Sequence, residues 1–168
     1  MEVRNIFFDM DEVLADFSRG VREIVGIEPP PQDGKHKSEE DKMWAGVRDA
    51  GNFYDRLEPV SGAVDLFNEL YSKYGDKCEI LTAVPKPKRN IPEAGDDKKK
   101  WVKRILSDKV KVNIVTREEK PEFCKGKDCI LIDDLPGNIE DWKSTGGTGI
   151  LFTDAESTYN ILHELGVL

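Results

Sequence analysis

Four groups of side chains in this sequence are of a type and spacing that could do chemistry. Asp9 and Asp11, one residue apart, close the apolar run at residues 3–8 in VRNIFFDMDEV. Asp133 and Asp134 close a second such run, CILIDD, and are followed by the turn formers Pro136, Gly137 and Asn138. Carboxylates placed together at a chain turn repel one another unless a cation lies between them, and a hard divalent metal with oxygen ligands meets that need. Thr82 closes the run EIL and offers a hydroxyl that can donate to a phosphoryl oxygen. A lysine-rich stretch, DDKKKWVKRIL, supplies positive charge. In it Trp101, Val102, Ile105 and Leu106 form an apolar stripe, Lys98 lies three and four residues ahead of the stripe's first members, and Lys100, Lys103 and Arg104 fall on the other side. Lys98 is therefore the lysine set to point inward, with Lys99 the alternative. Taken singly, these features suit an acidic turn, a turn-forming threonine and a solvated helix face. Taken together they suit a site that holds a phosphate and a metal.

Such a site needs elements that bring the four groups to one edge. Apolar runs at residues 3–8, 79–81, 110–115, 130–132 and 150–152 read as buried strands. Helical patterns at 61–74, where Leu66, Phe67 and Leu70 share a face, and at 97–106, 136–143 and 156–165 lie between them. Strands alternating with helices predict an α/β parallel sheet wrapped on both sides, with ligands at the carboxyl ends of the strands. Asp9, Thr82 and Asp133 all stand at such ends. One stretch breaks the alternation. Residues 17–59 hold no buried strand, only helical patterns at 21–25 and 43–47 around the Pro-rich, charged EPPPQDGKHKSEEDK, and read as a small helical insertion after the first strand. The expected division is a core of residues 1–16 and 60–168 with a cap at 17–59. A second Pro-rich and charged loop, PKPKRNIPEAGDD, follows Thr82.

Composition narrows the partners. The 168 residues are 38% hydrophobic, enough for one well-packed domain. A net charge of −8 argues against a protein that holds long nucleic acid by its phosphates. The N-terminal apolar run is too short and too soon charged for a signal peptide, and no stretch approaches membrane length, so the expectation is a cytoplasmic protein. Cys78, Cys124 and Cys129 are odd in number with no C-x-x-C pair, and only His36 and His163 are present, which disfavours a zinc site or a disulfide framework.

The order D-x-D, Thr, inward Lys, D-D resembles the four motifs of the haloacid dehalogenase (HAD) superfamily, over residues 3–152. Within it, FFDMDEVLADF, NFYDRLEPVSGA, the Trp-Val after the lysines and LIDDLPGNIEDW look like the 5'(3')-deoxyribonucleotidase family. That resemblance implies a HAD-like Rossmannoid three-layer sandwich with a small helical cap. It implies a magnesium-dependent phosphatase for nucleoside monophosphates, a small phosphorylated substrate rather than a membrane or long nucleic acid, and a monomer or homodimer. It assigns Asp9 as the nucleophile that becomes aspartyl-phosphate and Asp11 as the acid, then base. Magnesium would be held by Asp9, the backbone carbonyl of Asp11 and Asp133, with Asp134 in support, while Thr82 and Lys98 grip the phosphate. Phe17, Trp44, Phe53 and Tyr54, in or beside the cap, are candidates to stack on a base, and Arg117 resembles a family arginine near the nucleotide.

Three positions depart from the family pattern. Glu12 stands where many relatives have glycine, Ala83 where the mammalian enzymes have a second hydroxyl, and Leu135 where a basic residue is frequent. Rival readings are a phosphatase for nucleic-acid ends, a sugar or metabolite phosphatase, and a non-enzymatic module that keeps the fold. No P-loop of the G-x-x-x-x-G-K-[ST] type is present, and the paired Asp9 and Asp11 are more than a binder needs.

Overall fold

A computed structural model describes all 168 residues. Five strands, β1 (Asn5–Phe8), β2 (Cys78–Ala83), β3 (Val112–Val115), β4 (Cys129–Asp133) and β5 (Thr148–Leu151), form one sheet in the order β3-β2-β1-β4-β5. Every neighbouring pair is parallel, as the alternation of runs and helices predicts.

Strand side chains alternate between faces, and the two cores follow that alternation. Ile6, Phe8, Ile80, Ile130 and Ile132 belong to a core of 31 buried residues, whereas Phe7, Leu81, Leu131 and Val115 belong to one of eight on the opposite face. The larger core receives Leu66, Phe67 and Leu70 from α3 (Ala63–Tyr74), Trp101 and Val102 from α4 (Ala94–Ile105) and Leu162 from α6 (Ala155–Glu164). The smaller one receives Ile139 and Trp142 from α5 (Pro136–Ser144). The chain steps from β1 outward to β2 and β3 on one side, then returns to β4 and β5 on the other. Right-handed crossovers in opposite directions put their helices on opposite faces, which gives three layers. The reversal of order lies between β1 and β4, where a crevice opens at the carboxyl edge.

Residues 17–59 carry no strand. They comprise the short α1 (Phe17–Gly20), a wide turn at Val21–Val25, α2 (Lys37–Ala50) and a one-turn 3-10 segment at Tyr54–Arg56. The helix expected at 43–47 is the middle of 14 residues, because only Met43 and Val47, four apart, are buried and the remaining turns are polar. Met43, Val47, Phe53 and Tyr54 join the same large core as β1. Similarly, α4 begins three residues ahead of the expected 97, with Asp96 and Asp97 in its first turn, where carboxylates suit the positive end of the helix. The crossover from β3 to β4 is a 3-10 segment, Arg117–Phe123, opened by a reciprocal Thr116–Glu119 capping box.

Candidate active site

The site is built on the carboxyl ends of β1, β2 and β4. The Asp9 N–H donates to the Ile132 carbonyl at 2.9 Å, carrying the β1–β4 ladder one residue beyond the strand. The chain then coils tightly: Leu14 and Ala15 N–H both donate to the Met10 carbonyl at 2.9 Å, and Glu12 N–H donates to the Ala15 carbonyl at 2.8 Å. This coil needs a left-handed residue, and Glu12 supplies it at φ +65°, a conformation that glycine adopts at less cost. Glu12 lines the same cavity as Asp9 and Asp11, and its carboxylate accepts from the Ser18 backbone N–H at 2.6 Å and the Ser18 hydroxyl at 2.9 Å. The departure from glycine thus keeps the turn and ties it to α1.

Lys98 points inward and is fully buried, which decides between it and the exposed Lys99. Its Nζ donates to Thr82 Oγ1 at 2.8 Å, the Ala83 carbonyl at 2.6 Å and Asp11 Oδ2 at 3.1 Å, above the Tyr54 ring at 4.7 Å. An ammonium has three hydrogens, and these partners use all of them. Lys98 does not line the cavity beside Asp9. In this arrangement Lys98 bridges Thr82 and Asp11 and fixes them relative to one another.

The lysine at the cavity is Lys120, which the sequence reading passed over. Its Nζ donates to Asp133 Oδ2 at 2.9 Å and Asp9 Oδ1 at 3.1 Å, leaving one hydrogen unused, and its side chain lines the cavity. Burial alone would lower its pKa, but Asp9 and Asp133 outweigh that and hold it above the ordinary lysine range. The available signal was position: the β3–β4 crossover must pass the switch point, so a lysine on it meets β1 and β4. It lies outside any periodic helix, 19 residues past the more conspicuous KKKW.

The acidic pair after β4 divides its roles. Asp133 is fully buried, its Oδ2 accepting from Lys120 and from Asn138 Nδ2 at 3.0 Å and its Oδ1 from the Leu135 N–H at 3.0 Å. Asp134 lines the cavity with Asp9. Asp134 is the more exposed of the pair, while Asp133 lies deeper with both oxygens hydrogen-bonded.

One ligand oxygen from each of Asp9, Asp133 and Asp134 can be chosen so that all lie within 4.8 Å of one another. Burial, then the neighbouring carboxylates, raise the pKa of Asp134, and burial does the same for Asp9 against the opposing pull of Lys120. One ammonium among three clustered carboxylates leaves negative charge uncompensated. An all-oxygen donor set of this kind fits a hard divalent cation such as magnesium. Asp11 Oδ1 is also buried without a hydrogen-bond partner, a costly state that an arriving hydroxyl or protonated oxygen would relieve.

Phe17 and Trp44, with ring centroids 5.6 Å apart, wall the cavity of about 170 Å³ that contains Asp9, Asp11 and Lys120. Arg117 lines it too, anchored by an Nε–H donated to Asn138 Oδ1 at 2.8 Å. Phe53 does not. It is buried against Phe17, 5.4 Å between centroids, and backs the ring that faces the cavity.

The model of the family "5' nucleotidase, deoxy (Pyrimidine), cytosolic type C protein" matches residues 32–164. The chain belongs to this family. The match includes Thr82, Lys98, Lys120, Asp133 and Asp134, while the structure attaches Asp9 and Asp11 to them. A protein of Vibrio phage KVP40 provisionally named 5'(3')-deoxyribonucleotidase is 28% identical over 101 residues, 60% of this chain and 50% of the phage protein. The chain thus matches about half the length of that relative. Among solved structures, a Bacillus subtilis protein provisionally described as a HAD hydrolase, bound to magnesium, superposes with TM-score 0.61 at 15% identity, covering 97% of this chain and 100% of that one. A HAD-family enzyme of Bacteroides thetaiotaomicron in complex with magnesium and inorganic phosphate gives TM-score 0.54 at 16% identity, covering 95% and 98%. These establish for this nucleotidase family member the HAD-like α/β fold. No helix is long and apolar enough to cross a membrane.

Proposed function

We propose that this protein is a magnesium-dependent phosphatase that hydrolyses nucleoside monophosphates through an aspartyl-phosphate on Asp9. The observation that carries the reading is Asp9, Asp11 and Lys120 on one small cavity with Asp134, above a Lys98 that fixes Asp11. Asp9 attacks phosphorus and the ester bond to the leaving oxygen breaks; Asp11 gives that oxygen its proton. Asp11 then takes a proton from water, which attacks the aspartyl-phosphate and releases inorganic phosphate. Lys120, with one hydrogen free, holds the phosphoryl oxygens, backed by the buried Thr82–Lys98 pair. Asp9, the Asp11 carbonyl and Asp134 would hold magnesium, with Asp133 behind them orienting Lys120. When bound, the cation neutralises charge on the transferring group.

Residues 17–59 act as the cap, excluding water from the phosphate. Phe17 and Trp44 take the base, and Arg117 sits at the nucleotide. The aromatic pair favours a nucleotide over a sugar phosphate, since a base offers a face on which to stack.

The test is phosphate release from 5'- and 3'-nucleoside monophosphates, sugar phosphates and a 3'-phosphorylated oligonucleotide, with magnesium or EDTA. Turnover led by deoxynucleotides, requiring magnesium and abolished in Asp9→Asn, is the expected result. Equal turnover by Asp9→Asn would remove the nucleophile assignment, and preference for the oligonucleotide would move the substrate to nucleic-acid ends.

A further inference from the structure

Beside the cavity of Asp9 lies a larger one of about 550 Å³. The two share Asp11, Gln32, Trp44, Ala83 and Arg117. Its far wall is the loop after β2, which contributes Lys86, Lys88 and Arg89. In a chain of net charge −8 this is a local concentration of cations. Facing acids are few: Glu40 lines the chamber, Asp11 marks its inner end, and Asp41 of α2 is taken by Arg89 at 2.5 Å.

That ion pair also anchors the loop. The Arg89 N–H donates to the Lys86 carbonyl at 2.9 Å and the Asn90 N–H to the Pro87 carbonyl at 3.1 Å, closing a one-turn 3-10 segment, and Pro85 and Pro87 restrict the backbone on either side of Lys86. The Lys86 and Lys88 ammonium groups donate no hydrogen bond and form no ion pair within the protein, although Lys88 lies near enough to Asp41 to help lower its pKa. Two unpaired ammonium groups are thus carried at the mouth of a chamber on a loop whose backbone is already held, so backbone ordering opposes the binding of an anion little.

We infer that this chamber receives a second phosphate on the leaving group, making nucleotides with two phosphates, such as deoxynucleoside 3',5'-bisphosphates, preferred substrates. The inference rests on the reading of Asp9 and Asp11 above. Asp11 gives its proton to the leaving oxygen, so the nucleoside lies on the Asp11 side, and that side opens into the chamber. Trp44 borders both cavities and can face the base while the second phosphate meets Lys86 and Lys88. Only the phosphate at Asp9 is transferred to water; the other departs intact on a nucleoside monophosphate.

Binding to Asp9→Asn protein with magnesium, measured by calorimetry, tests this without requiring turnover. Deoxythymidine 3',5'-bisphosphate should bind at least tenfold tighter than the 5'-monophosphate. Adding Lys86→Ala and Lys88→Ala should remove the difference and leave monophosphate affinity unchanged. A 5'-phosphorylated dinucleotide, carrying its second phosphate as a diester, shows whether a short strand or a bisphosphate uses the site better. Equal affinities, or a difference that survives both substitutions, would overturn the inference. Turnover of monophosphates by the native protein is measured separately, so its absence would count against the phosphatase reading alone.

Discussion

Lys120 sits between Asp9 and Asp133 with almost no access to water. Removing one partner of a buried ion cluster leaves the others uncompensated, at a cost of about 3–5 kcal/mol. Lys120→Met should lower stability by that order in urea unfolding, and magnesium should restore part of the loss if a cation occupies the carboxylates. An unchanged midpoint would show that Lys120 does not neutralise them in solution. Glu12 poses a different balance. Its left-handed backbone costs about 1–2 kcal/mol relative to glycine, while its carboxylate holds two donors of Ser18. Glu12→Gly relieves the backbone and loses the bonds, so the two changes largely offset. Glu12→Ala loses the bonds and keeps the strain, and should be the less stable of the two by about 1 kcal/mol in thermal or urea melts.

At the scale of elements, the start of α5 and the β3–β4 crossover fit together through a missing side chain. A Cβ on Gly137 would collide with the Arg117 guanidinium, whose Nε–H reaches Asn138 in the same turn. Gly137 therefore leaves room for the guanidinium where it stands, and its backbone is not left-handed. Gly137→Ala should displace Arg117 from the cavity wall, raising KM for a nucleotide several-fold with kcat and melting temperature little changed. A fall in kcat at constant KM would instead mean that the substitution disturbs Asn138 and, through it, Asp133. A parallel logic governs α4. Its Trp101 is fully buried and donates Nε1–H to the Leu57 carbonyl at 2.8 Å, joining the helix that carries Lys98 to the chain returning from residues 17–59. The sequence marks Trp101 as a member of an apolar stripe, but the stripe does not tell which chain it meets.

For the molecule as a whole, binding and stability are linked through the carboxylate cluster. A ligand that binds only the folded state stabilises it by about 2.7 kcal/mol at one hundred times its dissociation constant. Magnesium should therefore raise the melting temperature by several degrees, EDTA should reverse this, and Asp134→Asn should abolish most of the shift. A shift that survives the substitution would place the cation elsewhere. Much of this architecture was legible in the chain itself. Apolar runs that end in Asp9, Thr82 and Asp133 determine a parallel sheet with those groups on one edge, because side-chain periodicity and helix alternation are local properties. The inward direction of Lys98 was equally legible, since helix geometry fixes it against Trp101 and Val102. What a local pattern could not carry was decided by tertiary packing. Lys120 belongs to a non-periodic crossover, and only the β1–β4 switch point brings it to Asp9 across 111 positions of sequence. Lys98 is consumed by Thr82, Ala83 and Asp11, Asp133 lies behind Asp134, and Phe53 lies beneath Phe17, because burial and the saturation of hydrogen bonds depend on neighbours contributed by distant segments.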